Sequence, residues 1–430
     1  MSLLREYLPA STRFTPLQNS SSAQHSVVRL EKHRTQFCVG DTLNVLVEMR
    51  DHAGRPKAYG GDFILARIHS PQLQASVSGN VVDFRNGSYR VAFPLSWPGE
   101  VQVSVLLMHS SEAVRVLWRI RKHNYGKIGY TGTFVRGGKI EKSQCGLRLN
   151  KRKALCEYRK KEDGEYYACF RPPTLPCSAL STMHSYNTPG PSLKEEEARL
   201  LARWTSSYCQ TGPFLEEDAI NSCLMGKTVY LMGDSTVRQW IENLERKLKG
   251  LVYITVDRLS SMVAADTLRN ITVLWNKHTY PWIGSHEISI KKCVYVSRRL
   301  DSIEVDGRQQ DPVVVIGIGQ HFRASPLEIF IQRLLNIRQA ILRLQARSPR
   351  AQVFIKLENT RELSSDMSRM SDWYGHIENL AQRKVFEDLK VALVDAWDIS
   401  VAANTFAIHP NDVVVSSEVA VALSHLCHYR

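Results

Sequence analysis

From residue 226 onward the chain alternates short apolar runs with longer amphipathic ones, and this constrains its fold more than any other feature. Lys227-Thr228-Val229-Tyr230-Leu231-Met232 reads as a strand. Val313-Val314-Val315-Ile316-Gly317-Ile318 is apolar throughout, as a strand covered on both faces must be. Val353-Phe354-Ile355-Lys356-Leu357 and Val391-Ala392-Leu393-Val394 supply two more. Between them apolar residues recur at helical spacing: Val237, Trp240, Ile241, Leu244 and Leu248 on the first helix, then stretches over about 326–346, 371–390 and 416–427. Such alternation implies a parallel sheet with helices on both faces, a three-layer α/β domain over residues 226–430.

The rest of the chain lacks that rhythm. Residues 1–24 are rich in Ser, Thr and Pro and read as a flexible lead-in. Residues 25–125 hold alternating runs such as Thr42-Leu43-Asn44-Val45-Leu46-Val47, punctuated by turns at Asp51-His52-Ala53-Gly54 and Arg85-Asn86-Gly87-Ser88. Strands at that spacing, without intervening helices, predict a β-sandwich. Residues 126–225 gather Cys145, Cys156, Cys169, Cys177, Cys209 and Cys223 with several prolines and one helical stretch, Leu193 to Trp204. They read as a disulfide-tied, cysteine-rich connector. A basic run at Lys151, Arg152, Lys153, Arg159, Lys160 and Lys161 reads as a solvated face.

No C-x-x-C pair occurs, so a zinc ribbon is not indicated, and His425-Leu426-Cys427-His428 suits a frayed helix with a disulfide better than a metal site. Clustered cysteines at loose spacing imply an oxidising compartment. Three glycosylation acceptor patterns, at Asn19, Asn86 and Asn270, point the same way. The start of the chain has no apolar run of signal-peptide length, so a signal or anchor is expected to have been lost ahead of it. The net charge of +14 suits an anionic partner. That partner could be nucleic acid, membrane headgroups or anionic glycans, and the lack of a nucleic-acid motif makes nucleic acid the minor option.

Three loops at strand ends carry candidate chemistry. Gly233-Asp234-Ser235 falls where a strand ends and a helix begins, the carboxyl edge at which α/β sheets bind ligands. A serine there is exposed, beside helix N–H groups able to stabilise developing negative charge. Gly317-Ile318-Gly319-Gln320-His321-Phe322 follows the central strand, and Gln320 or His321 could donate to an oxyanion. Asp395-Ala396-Trp397-Asp398 leads to His409-Pro410 after the last strand. His409 is the candidate base for Ser235. Asp398 is the first candidate to orient it, Asp395 the second and Asp412 a further one.

Longer stretches, Leu231 to Trp240, Gly319 to Arg323, Lys356 to Glu362 and Asp395 to Asp398, resemble the NXPE family of neurexophilin and PC-esterase domain proteins. So do Tyr59-Gly60-Gly61-Asp62-Phe63 and Asp83 to Tyr89 near the N-terminus. The resemblance implies an immunoglobulin-like neurexophilin domain followed by a PC-esterase domain of SGNH/GDSL type. It also implies residence in the secretory pathway, in the Golgi lumen or secreted, and acyl chemistry on glycoconjugates. Sialic acid O-acetylation from acetyl-CoA, without a metal, is the activity it suggests. Carried onto this chain, it makes Ser235 the nucleophile and His409 the base. Gly319, Gln320 and His321 become the oxyanion block, and Gly233 and Asp234 of the serine's turn, with Arg238 and Gln239, the polar pair after the serine, are expected to bind the oxyanion or substrate. One position departs from the wider superfamily: the aspartate expected three residues before the histidine is Phe406.

The residues leave an O-acyltransferase and an O-acetylesterase equally open, since both share an acyl-serine half-reaction. A secreted neurexophilin-like binding protein without catalysis is the rival from another class.

Overall fold

The computed structural model describes the chain apart from residues 1–3, 10–14, 32–35, 125–127, 148, 150–152, 161–163, 189–215, 279–286, 293, 305–310, 362–366 and 428–430. Strands β1 (Ser21–Leu30), β2 (Thr42–Asp51), β3 (Phe63–Ser70), β4 (Ala75–Ser78), β5 (Asn80–Asp83), β6 (Ser88–Pro94) and β7 (Gln102–His109) form two antiparallel sheets. Their orders are β1-β2-β6-β5 and β4-β3-β7. Alternate residues of β2 point inward, so Leu43, Val45, Val47 and Met49 meet Ile64, Ala66 and Ile68 of β3 and Tyr89, Val91 and Phe93 of β6. This is the expected β-sandwich.

Its edges differ from expectation. The lead-in is partly packed: Leu4 is fully buried in the large core, and Ser20, Ser21 and Ser22 are buried as β1 begins. At the other end the strands stop at His109, and α1 (Ser111–Asn124) follows. Ala113, Val114, Leu117 and Ile120 lie on one helical face and join Val314, Ile316, Leu334 and Ile377 in a single core. Sandwich and C-terminal domain therefore share their packing.

The segment read as a connector is a sheet of its own. Strands β8 (Ile128–Arg136), β9 (Lys139–Gly146), β10 (Leu155–Lys160), β11 (Glu165–Phe170) and β12 (Leu180–Asn187) pair in the order β10-β11-β9-β8-β12, with a short later strand, β17 (Ile288–Ser289), outside β12. Ile128, Tyr130, Phe134 and Met183 make its small core, and disulfides Cys145–Cys169 and Cys156–Cys177 tie it. The helix expected over Leu193–Trp204, and Lys151, Arg152 and Lys161 of the basic run, lie outside the described residues.

The C-terminal part holds α2 (Glu217–Leu224), β13 (Thr228–Gly233), α3 (Ser235–Lys247), β14 (Val252–Asp257), β15 (Ser261–Asp266), β16 (Ile271–Lys277), β17 (Ile288–Ser289), α4 (Val296–Asp301), β18 (Val313–Gly317), α5 (Leu327–Arg347), β19 (Gln352–Lys356), α6 (Asp372–Phe386), β20 (Ala392–Val394), α7 (Ala396–Ala402) and α8 (Asp412–Cys427). A seven-stranded sheet runs β14-β15-β16-β13-β18-β19-β20. It is parallel from β16 to β20, while β14 and β15 add an antiparallel edge that the expected all-parallel sheet lacked. The apolar run of β18 serves both faces: Val313 and Val315 pack with α3 and α8, whereas Val314 and Ile316 pack with α1, α5 and α6. Helices thus cover both sides, giving three layers.

Buried ion pairs join the parts. Arg121 of α1 meets Glu378 of α6 at 2.6 Å, and Arg333 of α5 makes two 2.6 Å bonds to Glu165 of β11. A third disulfide, Cys223–Cys427, ties α2 to the end of α8, so Cys427 is committed to sulfur pairing. Three disulfides fit an oxidising compartment, secreted or lumenal. No helix among the described residues is long and apolar enough to cross a membrane.

Candidate active site

The nucleophile's turn is built by close approach. Gly233 ends β13 and Gly317 ends β18, side by side in the sheet. A Cβ on Gly233 would strike the Gly317 carbonyl and Val237, so only glycine lets α3 start directly against the strand ends. Asp234 then caps α3. Its Oδ1 accepts from the N–H and the hydroxyl of Thr236, each at 2.8 Å, and its own N–H donates to the Gly317 carbonyl at 3.1 Å. Asp234 is therefore a helix cap at 1% exposure, with Oδ2 lacking a partner among the described residues, rather than the substrate contact expected of it.

Ser235 opens α3, half-buried at the sheet's carboxyl edge. Its Oγ lies 2.8 Å from Nε2 of His409, which reaches it from the loop between α7 and α8. That loop is held by its backbone: the Gln239 side chain donates to the Pro410 carbonyl at 2.9 Å, and the Thr360 hydroxyl donates to the Thr405 carbonyl. Gln239, expected to touch substrate, instead anchors the residue next to His409. Desolvation first, and then the nearby charges of Arg238 and Arg361, hold the imidazole's pKa below the ordinary histidine range. It is neutral at neutral pH, the form able to accept a proton. Arg238 itself donates to Glu242 at 3.2 Å, with its guanidinium 5.8 Å from the Trp275 ring centre.

None of the three expected acids bonds to His409 among the described residues. Asp395 caps α7, accepting from the Asp398 N–H at 3.1 Å, and pairs with Arg383. Asp398, in the first turn of the same helix, turns toward Ser78 of the sandwich. Desolvation and the adjoining Asp395 push its pKa up to about 6. Asp412 accepts from Asn243 at 2.8 Å and pairs with Arg246. Each carboxylate lies near His409 in sequence but is turned away by the helix that carries it. Phe406 is partly buried against the large core.

The oxyanion block also differs. The Gly319 N–H donates to Glu358 Oε1 at 2.8 Å, and a Cβ at Gly319 would collide with that carboxyl. The Gln320 side chain donates to the Asn359 carbonyl at 3.1 Å. His321 packs its ring 4.6 Å from that of His278, and burial lowers its pKa to about 4. Two expected donors are thus engaged within the fold. The Ser235 N–H, among the orphan donors in the first turn of α3, is the donor best placed for an oxyanion.

Beneath the serine lies a buried polar network that the motifs did not reveal. Lys356 Nζ, 1% exposed, donates to Asn359 Oδ1 at 2.6 Å and to the Thr236 hydroxyl at 3.3 Å, and sits 3.6 Å from Glu418. Glu418 also accepts from Trp240 at 2.8 Å and Asn359 at 2.6 Å. Close by, burial and the Asp234 charge raise the pKa of Glu358 to about 8. A signal was present: Lys356 is the one charged residue in an otherwise apolar strand end.

Of the glycosylation candidates, Asn86 and Asn270 are exposed at turns, while Asn19 is half-buried and accepts from Arg55 at 2.8 Å. Cys38 is an exposed free thiol.

Fold and site together define a class: a three-layer α/β domain with a serine–histidine pair at its carboxyl edge, joined to a β-sandwich. The model of the NXPE family member 4-like C-terminal domain matches residues 204–427, and the neurexophilin model matches residues 6–188. The chain belongs to the NXPE family. Among solved structures, it is similar to a carbohydrate esterase family 2 enzyme plus carbohydrate-binding domain of Corynascus thermopiles (Myceliophthora fergusii), at 13% identity over 70% of this chain and 87% of that one, with a TM-score of 0.26. The acetylxylan esterase Axe2 of Geobacillus stearothermophilus matches at 15% identity over 48% of this chain and 95% of its own, also with a TM-score of 0.26. An active-site mutant of a family two carbohydrate esterase from Clostridium thermocellum matches at 10% identity over 91% of this chain and 93% of its own, with a TM-score of 0.25. Likenesses this distant carry no argument.

Proposed function

We propose that this protein transfers an acyl group to or from a glycan hydroxyl through Ser235 and His409, as an O-acetyltransferase using acetyl-CoA on a sialic acid acceptor. The observation that carries the reading is the 2.8 Å contact between Ser235 Oγ and His409 Nε2 at a strand-to-helix turn. Ser235 Oγ attacks the thioester carbonyl while its proton passes to His409 Nε2. The Ser235 N–H at the start of α3 faces the developing negative charge. Collapse expels the CoA thiol, which takes the proton back from His409, and leaves acetyl-Ser235. The sugar hydroxyl then attacks as His409 takes its proton, and Ser235 leaves with that proton restored. With water as acceptor the same residues make an acetylesterase.

The net charge of +14, with Arg238 and Arg361 close enough to lower the His409 pKa, supports an anionic acceptor or donor. Three disulfides support work in the secretory pathway, in the Golgi lumen or after secretion. The reading invokes no metal and no nucleic acid.

The test pairs wild type with Ser235→Ala, each given labelled acetyl-CoA and a sialylated glycan. Transfer by wild type that disappears in the mutant is the expected result. Transfer that survives in the mutant removes Ser235 as nucleophile. One observation favours a second reading, a binding protein with a silent site: no carboxylate bonds to His409 among the described residues, and Phe406 stands where the superfamily has an aspartate. Folded wild type that neither transfers acetyl groups nor hydrolyses acetylated sialosides would favour it.

A further inference from the structure

A cleft of about 1140 Å³ lies between the β-sandwich and the C-terminal domain, and its lining includes neither Ser235 nor His409. Its walls come from the N-terminal segment at Arg5 to Pro9, from the turn before β3 and the start of that strand, from β4 to β6, from α1, and from α6 and α7. That volume exceeds the roughly 300–1,000 Å³ typical of a drug-sized ligand site, so it admits more than one sugar ring.

The chemistry of the walls narrows the occupant. One side is aromatic. Phe63, His376 and Trp397 form a cluster with ring centres 5.2 to 6.2 Å apart. Burial lowers the His376 pKa to about 4, so this wall stays uncharged. Four carboxylates line the cleft: Glu6 bonds Tyr7, Asp398 turns toward Ser78, and the other two are consumed by the fold. Asp62 accepts from the Tyr89 hydroxyl and the Ser111 N–H, each at 2.7 Å, and Asp83 accepts from the N–H groups of Gly61 and Arg85. Of the lining arginines, Arg85 pairs with Asp83 and Arg383 with Asp395, whereas Arg115 is not consumed. Arg115 lies over the Tyr59 ring, 4.7 Å from its centre, and pairs with no carboxylate among the described residues. Glu112, one turn earlier on the same helix, is taken by Lys57 at 2.7 Å. Exposed Asn80 supplies an amide at the rim.

An apolar floor that shows mainly at half-buried His376, since Phe63 and Trp397 are 6% and 7% exposed, joins an amide and an uncommitted guanidinium on separate elements to match a saccharide carrying an anionic group. Sugar C–H faces pack on aromatic rings, hydroxyls bond the amide, and a carboxylate or sulfate takes the guanidinium in a two-pronged contact. We infer that the cleft is a second, non-catalytic binding site for an acidic oligosaccharide, with Arg115 as its anion contact. The site stands whether or not Ser235 is a nucleophile.

Calorimetric titration of the full chain with a heparin-derived tetrasaccharide and with 3′-sialyllactose, beside neutral maltotetraose, tests it. Saturable binding of at least one charged probe and none of maltotetraose is expected, the active probe showing whether sulfate or carboxylate is read. Arg115→Ala weakens that binding at least tenfold. Asn80→Trp, at an exposed position that tolerates bulk, blocks the cleft without disturbing the core. Ser235→Ala binds as wild type does. Unchanged thermal melting confirms that the two cleft variants are folded. No binding of either charged probe, equal binding of the neutral probe, undiminished binding by both folded cleft variants, or binding lost only with Ser235→Ala would each overturn the inference.

Discussion

The two members of the Ser235–His409 pair are held in opposite ways. The serine sits on a buried frame: Asp234 caps its helix, glycines clear its approach, and Lys356, Asn359 and Glu418 brace the helix from below. The histidine sits on an exposed loop, fixed by hydrogen bonds to backbone carbonyls beside it. A buried charge network specifies one geometry and fails badly when one partner goes. A loop anchored by single neutral bonds fails gradually. The contrast locates the pair's rigidity on the nucleophile's side and its adjustability on the base's side.

Removing the base should have the largest effect on turnover. His409→Ala is expected to lower kcat by 10²- to 10⁴-fold, the range for a general base, with melting temperature unchanged because the side chain is exposed. Steady-state kinetics and a thermal melt check both halves of that statement. Breaking the frame should show the reverse pattern. Glu418→Ala leaves Lys356 buried without its counter-charge and should cost about 3–5 kcal/mol of stability, read by denaturant unfolding. If Glu418→Ala melts like wild type, the frame does not hold the serine.

A smaller effect separates anchoring from structure. Gln239→Ala removes the bond to the Pro410 carbonyl, worth about 1 kcal/mol, and should lower kcat several-fold while KM and melting stay close to wild type. The smallest effect is a shift. Arg238 disfavours the protonated imidazole, so Arg238→Gln should raise the His409 pKa and move the acid limb of the pH–rate profile to higher pH. A limb that stays in place would mean that Arg238 does not act on His409.

Much of the C-terminal fold was legible because parallel strands buried on both faces must be apolar, as Val313 to Ile316 are. Ser235 was legible because it falls just beyond a strand end, and His409 because it follows the last strand in chain order, although α7 intervenes between that strand and the histidine. What stayed hidden depended on contacts distant in sequence or on the facing of a helix. Asp395, Asp398 and Asp412 all lie close to His409 along the chain, yet α7 and α8 turn them toward Arg383, Ser78 and Asn243. The Gly319 N–H looked available until Glu358, far along the chain, took it. Helix α1 was readable from Ala113, Val114, Leu117 and Ile120 at helical spacing, but the strands before it were extended across it. The middle sheet was missed because strands such as Lys139–Gly146 bury little on either face.

A fluorophosphonate probe, which captures only an activated serine hydroxyl, bears most directly on the pair itself. Wild type, Ser235→Ala and His409→Ala would be labelled at neutral pH and the adduct mapped by peptide mass. Labelling of wild type at Ser235, absent from Ser235→Ala and strongly slowed in His409→Ala, is the result that activation of the serine by the histidine predicts. Folded wild type that resists the probe, or labelling that is as fast in His409→Ala, would contradict it.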